Sequence, residues 1–389
     1  MNIWLRRLMM TGASLLVASF FVFASPIHAQ TSTSTIVLPD GSSVTPQQDV
    51  FFLGRVVGTP DEHFESDFGA NTLVQDVSVL IEEGPDKGKR ITAEFSLPEG
   101  TSGRARLRAN QRVIVGYGGM IDDRQYYISD VYRLPALWGI LIVFFVLTVV
   151  FARSYGVRAF FGLGLSLAVI VWFIAPQILA GRNPFLVSFL GTILIACTSL
   201  YVAHGFHKRT NIAFVSTLTT IGLSLWIASV SVRATHLFGL GSEDAFFLQN
   251  AGVGPINLQG ILLGGIVIGV LGILDDITTA QAAVVEQIHQ ADPTLGFVEL
   301  YRRGSSVGRE HIISLVNTLV LAYTGASLPL LLLFLLYERP TWIVLNSEIV
   351  MEELIRMLVG SICLVLAVPI TTAIAAKYYS TKHYKTLLF

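Results

Sequence analysis

Hydrophobic positions divide the chain into two parts near residue 135. From Pro135 onward, seven apolar runs are long enough to cross a bilayer as helices, since about 20 apolar residues rising about 1.5 Å each span its hydrocarbon core. The runs cover residues 135–152, 159–179, 184–203, 212–232, 261–281, 312–336 and 354–376. This pattern predicts a polytopic α-helical membrane domain of about seven spans over residues 135–389.

Residues 30–134 show a different pattern, in which short β-forming runs alternate with Gly, Pro and Asp. The runs cover residues 51–57, 73–83, 90–97, 112–117 and 126–133. Gly84, Pro85 and Gly88 predict a hairpin turn between the second and third runs. Five short strands in about 100 residues predict a small all-β domain, for which a barrel of the oligonucleotide-binding (OB) type is one candidate.

The first 29 residues have the three zones of a secretory signal peptide. Arg6 and Arg7 precede an apolar stretch over residues 8–24, and Ala29 offers a cleavage point. An uncleaved signal anchor is the alternative, because the apolar stretch approaches spanning length. Either segment would export residues 30–134.

Basic residues in the loops predict the orientation of the spans. One side of the predicted membrane collects ten of them: Arg153, Arg158, Lys208, Arg209, Arg302, Arg303, Arg309, Lys377, Lys382 and Lys385. The loops of the other side hold Arg182, Arg233 and Arg339. The positive-inside rule places the richer side and the C-terminus in the cytoplasm, and an odd number of spans leaves the N-terminal domain outside.

Composition supports a lipid environment and gives little indication of a soluble partner. Hydrophobic residues make up 52% of the chain and charged residues 14%, with a formal net charge of -1. No nucleic-acid partner is predicted, because no basic strand face is apparent. Cys197 and Cys363 both lie in apolar runs. Since the chain also lacks a P-loop, H-E-x-x-H and G-x-S-x-G, no cofactor is predicted and an enzyme is not the preferred interpretation.

The fifth run contains two adjacent carboxylates, Asp275 and Asp276. Each costs about 2.5–3.5 kcal/mol near the centre of a membrane helix. The ten Leu, Ile and Val residues over 261–274 return about 0.3–0.6 kcal/mol each, so the terms nearly cancel. Two interpretations remain open: the pair caps a new helix that begins at Ile277, or it forms a cation or proton site. The sequence does not identify a metal.

Polar residues on neighbouring segments extend this candidate site. Asn317 lies about two turns into the sixth span, at a predicted depth close to that of Asp275, and shares a helical face with Glu310. The candidate ion or proton site comprises Asp275, Asp276, Thr278, Thr279, Glu310 and Asn317. Thr371 and Thr372, which follow Pro369, are further candidates for the same polar layer.

Three weaker features are assigned structural roles. His204 and His207 have a spacing compatible with metal binding, but the neighbouring basic residues favour a solvated surface. Glu352 and Arg356 are four residues apart on the seventh span and predict a local ion pair. Pro329 is expected to disturb the sixth helix, because proline removes a backbone donor.

The polar segments also resemble a known family. Residues 274–281 read LDDITTAQ, residues 308–312 read GREHI, residues 316–323 read VNTLVLAY and residues 328–332 read LPLLL. Together with an exported domain that precedes several spans, these segments resemble the YibE/F-like family of bacterial membrane proteins. The resemblance implies a multi-pass protein of the bacterial cell membrane, but it implies no catalytic residues.

The leading functional expectation is a permease or transport-associated protein that handles a small cation or proton at the carboxylate pair. The alternative, from a different class, is an envelope scaffold or secretion-associated component whose exported domain binds a protein partner. A third hypothesis, an enzyme acting on lipid, would use the carboxylates as acid and base or as metal ligands.

Overall fold

The computed structural model describes residues 36–37, 43–44, 49–58, 61–67, 70–98, 105–120, 123–250, 256–336 and 340–386. The expected signal segment, residues 1–29, lies outside these residues. The chain forms two compact units, one over residues 29–147 and one that contains the residues from Thr148 onward. Each unit has its own hydrophobic core.

The first unit is built mainly from β-strands. The strands are β1 Ile36–Val37, β2 Ser43–Val44, β3 Val50–Val56, β4 Asp61–Asp67, β5 Ala70–Ile81, β6 Arg90–Pro98, β7 Arg112–Met120 and β8 Asp123–Val131. Six of them form a sheet in the order β3-β7-β8-β6-β5-β4, and an additional pairing of β3 with β5 joins the sheet into a ring. The ring encloses a core that includes Val77, Val79, Val113 and Val115, so this unit is a small β-barrel-like region.

The five predicted strands are confirmed as β3, β5, β6, β7 and β8, with ends that shift by up to three residues. The predicted hairpin between β5 and β6 is also present, and Gly84 and Gly88 adopt φ values of 97° and 86° there. Glycine reaches this left-handed region at little cost. Strand β4, whose residues read DEHFESD, was not predicted, because charged side chains are uncommon in strands.

The second unit is helical. Its elements are α1 Leu134–Ala152, which begins within the first unit, α2 Ser154–Val169, α3 Ala175–Leu179, α4 Pro184–His204, α5 Lys208–Ala234, α6 Glu243–Asn250, α7 Leu258–Ala291, α8 Phe297–Ala326, α9 Leu328–Leu336, α10 Thr341–Leu345 and α11 Glu348–Thr386. A π-helical turn, Ile170–Ile174, joins α2 to α3.

Six helical segments in the described part of the chain are long and apolar enough to cross a membrane: α1, α2 with α3, α4, α5, α7 and α11. Helices α8 and α9 meet the same criterion only as a pair, and they are bent by 58°. Pro329 lies in the first turn of α9, where its ring prevents a straight continuation of α8. The count is therefore six spans, or seven with the bent pair, which fits the expected multi-pass membrane protein.

Helix α7 occupies the centre of the helical unit, packed against α4, α5 and α11. Its Ile266, Leu274 and Ile277 are almost completely buried. Helix α5 turns a row of hydroxyl side chains into the same core, and most of these donate to carbonyls one turn earlier, as Thr220 does to Ser216 at 2.9 Å. Ser216, Thr220 and Ser224 are thus satisfied within their own helix, as an apolar surrounding favours.

Candidate functional site

Asp275 lies in the middle of an uninterrupted helix. Helix α7 runs from Leu258 to Ala291, and its N-cap is Asn257, whose side chain accepts from the Gly260 N–H at 2.9 Å. By the rise of about 1.5 Å per residue, Asp275 lies about 25 Å from the first residue of the helix. The interpretation of Asp275 and Asp276 as the cap of a new helix at Ile277 is therefore wrong.

The two oxygens of the Asp275 carboxyl group have different surroundings. Oδ2 accepts a hydrogen bond of 2.6 Å from the Ser199 hydroxyl on α4. Oδ1 is buried and has no hydrogen-bond partner among the described residues. A buried oxygen without a partner loses its hydration without compensation, so this carboxyl favours any state in which Oδ1 binds a proton, a cation or water.

A cavity of about 560 Å³ lies beside this carboxyl group. Residues of α1, α2, α4 and α7 line it, and the polar residues among them are Thr148, Tyr155, Ser166, Ser199, His204, Asp275 and Asp276. A water molecule occupies about 30 Å³ in the liquid. The cavity is thus large enough for a hydrated ion, and its charged groups gather at one end of the α7 wall.

Asp276 and His204 add two titratable groups to the cavity wall. Asp276 is exposed, whereas its neighbour Asp275 is half-buried. His204 is half-buried near the end of α4, and its Nδ1 has no hydrogen-bond partner in the described part of the chain. The interpretation of His204 as a solvated surface residue is therefore corrected, while His207 is exposed as expected.

Thr278 and Thr279 direct their hydroxyl groups elsewhere. Thr278 is fully buried and lies 2.8 Å from the Thr217 hydroxyl of α5. Thr279 donates to the backbone carbonyls of Asp275 and Asp276, at 2.8 and 3.0 Å. Neither threonine lines the cavity. Both therefore stabilise the helices around the site, while the carboxylates face the cavity.

Glu310 and Asn317 do not join the carboxylates. Both are exposed on α8, and neither lines the cavity. Helix α8 instead buries Leu300, Gly304 and Gly308. The prediction that equal depth would bring Asn317 to Asp275 is wrong, because depth does not fix the rotation of a helix about its axis.

Thr372 belongs to a second polar cluster, centred on Gln281 of α7. The Gln281 amide nitrogen donates to the Gly304 carbonyl at 2.9 Å and to the Thr372 hydroxyl at 2.7 Å. Thr371, on the same helix, is fully buried, but its hydroxyl has no hydrogen-bond partner among the described residues. This cluster joins α7, α8 and α11 as interhelical hydrogen bonds commonly do in membranes, and it does not reach the cavity beside Asp275.

Ser199 was not identified from the sequence, because a single serine in an apolar run is common in packed membrane helices. Its importance follows only from the contact with Asp275, 76 residues away. As for metals, no group of three or more His, Cys, Asp or Glu residues within the described ranges could hold an ion.

Comparison with known proteins places this site in a family context. The profile described as YibE/F-like protein matches residues 140–381, which is more than half of the chain. No curated protein and no solved structure matches the chain. The matched range includes Ser199, His204, Asp275 and Asp276. The chain therefore belongs to the YibE/F-like family.

Proposed function

We propose that this protein is a permease or a transport-associated protein that binds a small cation or a proton at Asp275. The single observation that carries the proposal is a carboxyl group in the middle of an apolar helix, with one oxygen bonded to Ser199 and the other buried without a partner beside a cavity. Carboxylates within membrane helices are costly, and they commonly mark ion or proton paths.

A purely structural role accounts less well for this arrangement. Buried polar groups that only stabilise a fold are nearly always fully hydrogen-bonded. Among the buried side-chain atoms that lack a hydrogen-bond partner in the described part of the chain, Asp275 Oδ1 is the only carboxyl oxygen. Asp275 has one partner for two oxygens, and its free oxygen would be satisfied by a proton or a cation.

The cavity wall supplies the remaining groups that such a site needs. Ser199 orients the carboxyl group, and Asp276 adds a second negative charge that attracts a cation. His204 offers an imidazole that could exchange a proton with solvent or with the carboxyl group. In this proposal Thr278 and Thr279 are supporting residues, and Glu310 and Asn317 are not ligands.

The orientation inferred from loop charges completes the proposal. The β-barrel-like unit lies outside the cell, the C-terminus lies in the cytoplasm, and the bacterial cell membrane is the site of action. An N-terminal signal segment would export the barrel. Asp275 then lies in the cytoplasmic half of the bilayer.

Flux measurements in proteoliposomes test the proposal. The purified chain is reconstituted, and internal pH or cation indicators report H⁺, Na⁺, K⁺, Mg²⁺ and Ca²⁺ after a gradient is imposed. We expect flux of at least one of them, and its loss to background in Asp275→Asn. The matched control is Glu310→Gln, an exposed carboxyl on another helix, which should keep its flux. Full flux in Asp275→Asn would refute the carboxylate site.

A scaffold that binds an envelope protein is the second candidate, and exposed aromatic residues of the barrel favour it. Phe51 and Phe64 are 56% and 66% exposed, and large aromatic residues are enriched in interfaces. The ring of strands β3, β5, β6, β8 and β7 supports the OB type, a fold that often binds ligands on one strand face.

Deletion of the barrel separates the two candidates. A chain without residues 30–133 should retain Asp275-dependent flux if the helical unit transports an ion by itself. Under the scaffold hypothesis the deletion abolishes function in cells, and cross-linking through position 64 recovers a specific protein. Retained cellular function without the barrel would contradict the scaffold.

A further inference from the structure

A second cavity lies further toward the N-terminal end of α7. Its volume is about 250 Å³, and its α7 wall is formed by Leu258, Ile261, Leu262 and Gly265. The opposite wall includes Asp244 of α6 together with Glu352 and Arg356 of α11. Like the cavity beside Asp275, this one combines an apolar helix wall with charged side chains.

The charged groups of this second cavity are only partly engaged with each other. Glu352 accepts a hydrogen bond of 3.0 Å from the Gly241 N–H, and Arg356 pairs with Glu353 at 3.5 Å. The predicted Glu352–Arg356 ion pair is thus replaced by a pair three residues apart. The Nε atom of Arg356 is buried without a hydrogen-bond partner among the described residues. The carboxylates of Asp244 and Glu352 outnumber the single guanidinium on the wall.

The two cavities share one face of α7. Ile261, Gly265, Ile268, Gly272 and Asp275 are spaced by four, three, four and three residues, which places them in one row along the helix. The first two line the cavity near Glu352, and the last three line the cavity near Asp275.

Glycine keeps this row open at two positions. A Cβ atom added to Gly265 or to Gly272 would meet no atom within 4 Å. By contrast, a Cβ at Gly264, on the packed side of the helix, would lie 2.3 Å from the Ser188 hydroxyl oxygen. The row therefore faces open space, whereas the adjacent face of the same helix is tightly packed.

We propose that these cavities are the two halves of one cation or proton path along this face of α7, reached from opposite sides of the membrane. This inference rests on the proposed function. Gly265 and Ile268 are separated by three residues, or about 4.5 Å along the helix axis. The segment of α7 between the two cavities, from Gly265 to Ile268, is therefore short compared with a hydrocarbon core of about 30 Å.

The charge distribution gives this path its selectivity. Acidic groups stand at both ends of the row, Asp244 and Glu352 at one end and Asp275 and Asp276 at the other. A path lined by carboxylates attracts cations and excludes anions.

Cysteine accessibility tests the path directly. In a background of Cys197→Ser and Cys363→Ser, Gly265→Cys and Gly272→Cys are treated with a membrane-impermeant thiol reagent in vesicles of both orientations. The control is Gly222→Cys on α5, where an added Cβ also meets nothing within 4 Å but which lines neither cavity. All variants are first checked for a monodisperse elution profile, so that unfolded protein does not contribute.

The proposal expects the Gly265→Cys variant to react from one side only, the Gly272→Cys variant from the other side only, and the Gly222→Cys variant from neither. Reaction of both path variants from the same side, or of neither, would overturn it. Loss of flux in Asp275→Asn together with unreactive path cysteines would retain the ion site and reject the path. If the Gly265→Cys and Gly272→Cys variants react from opposite sides but Asp275→Asn keeps its flux, the ion site is rejected instead.

Discussion

The packing of α8 against its neighbours can be tested with a single methyl group. A Cβ atom added at Gly308 would lie 2.4 Å from Val368 Cγ1 and 2.9 Å from the Gln281 side-chain oxygen. Both neighbours are buried, so they have little room to move. Overpacking of this kind costs about 1–3 kcal/mol.

A matched substitution on the same helix isolates this cost. At Gly325 an added Cβ would meet no atom within 4 Å. Both Gly→Ala changes gain about 0.5–1 kcal/mol from helix propensity. The difference between Gly308→Ala and Gly325→Ala is therefore the steric cost alone, which corresponds to about 2–12 °C in melting temperature at about 2–4 °C per kcal/mol.

Melting of the purified protein in detergent measures this difference. Cys363 is 0% exposed, so in a Cys197→Ser background a thiol-reactive dye reports unfolding of the helical unit. We expect Gly308→Ala to melt earlier than Gly325→Ala. Equal melting temperatures would refute the described contact of α8 with α7 and α11, and with it the rotation that carries Asn317 away from Asp275.

Four further predictions concern hydrogen bonds and ion pairs. The hydroxyls of Thr217 and Thr278 are 2.8 Å apart. In a double-mutant cycle of Thr217→Val and Thr278→Val we expect a coupling energy of about 0.6 kcal/mol, and at most about 1.7 kcal/mol. A coupling energy of zero would contradict the contact. Glu348 Oε1 accepts from three successive backbone N–H groups at 2.7 to 3.1 Å, so Glu348→Ala should lower the free energy of unfolding by about 1.5–3 kcal/mol. Glu353→Ala, which removes the partly exposed pair with Arg356, should cost about 0–1 kcal/mol in the same melts. In the barrel, the hydrogen bond that the Arg55 guanidinium donates at 2.6 Å holds the pKa of Glu82 below its ordinary value of 4.5. A carboxyl group whose pKa is lower in the folded state than in the unfolded state stabilises the fold at pH values above its unfolded-state pKa. Glu82→Gln should therefore increase proteolysis of the barrel at neutral pH. The difference from wild type should disappear as acid protonates Glu82 in the folded state.

The sequence predicted the elements of this fold better than their mutual placement. Apolar length identifies a membrane helix because lipid imposes it locally on each segment. Strand β4 was not predicted, since its pairing with β5 overrides the low strand propensity of Asp61 and Glu62. Short-range signals such as the turn at Gly84 were sufficient where the structure is itself local.

The candidate site shows the same limit. Asp275 and Asp276 could be identified because a charge in an apolar helix is costly wherever its neighbours lie. Their partners depend on how each helix is rotated, which a periodic pattern of apolar residues does not determine when most faces are apolar. Hence Ser199 was missed, and Asn317 was assigned to a site that it does not reach.

The most direct test of the central claim is whether the Asp275 carboxyl group takes up a proton within its apolar surrounding. Dicyclohexylcarbodiimide modifies protonated carboxyl groups in such surroundings, and peptide mass spectrometry locates the modified residue. We expect modification at Asp275 that decreases as pH is raised and when a cation carried by the protein is added. No modification at Asp275 at any pH, or labelling of the helical unit that is the same in wild type and Asp275→Asn, would contradict a proton or cation site at this position.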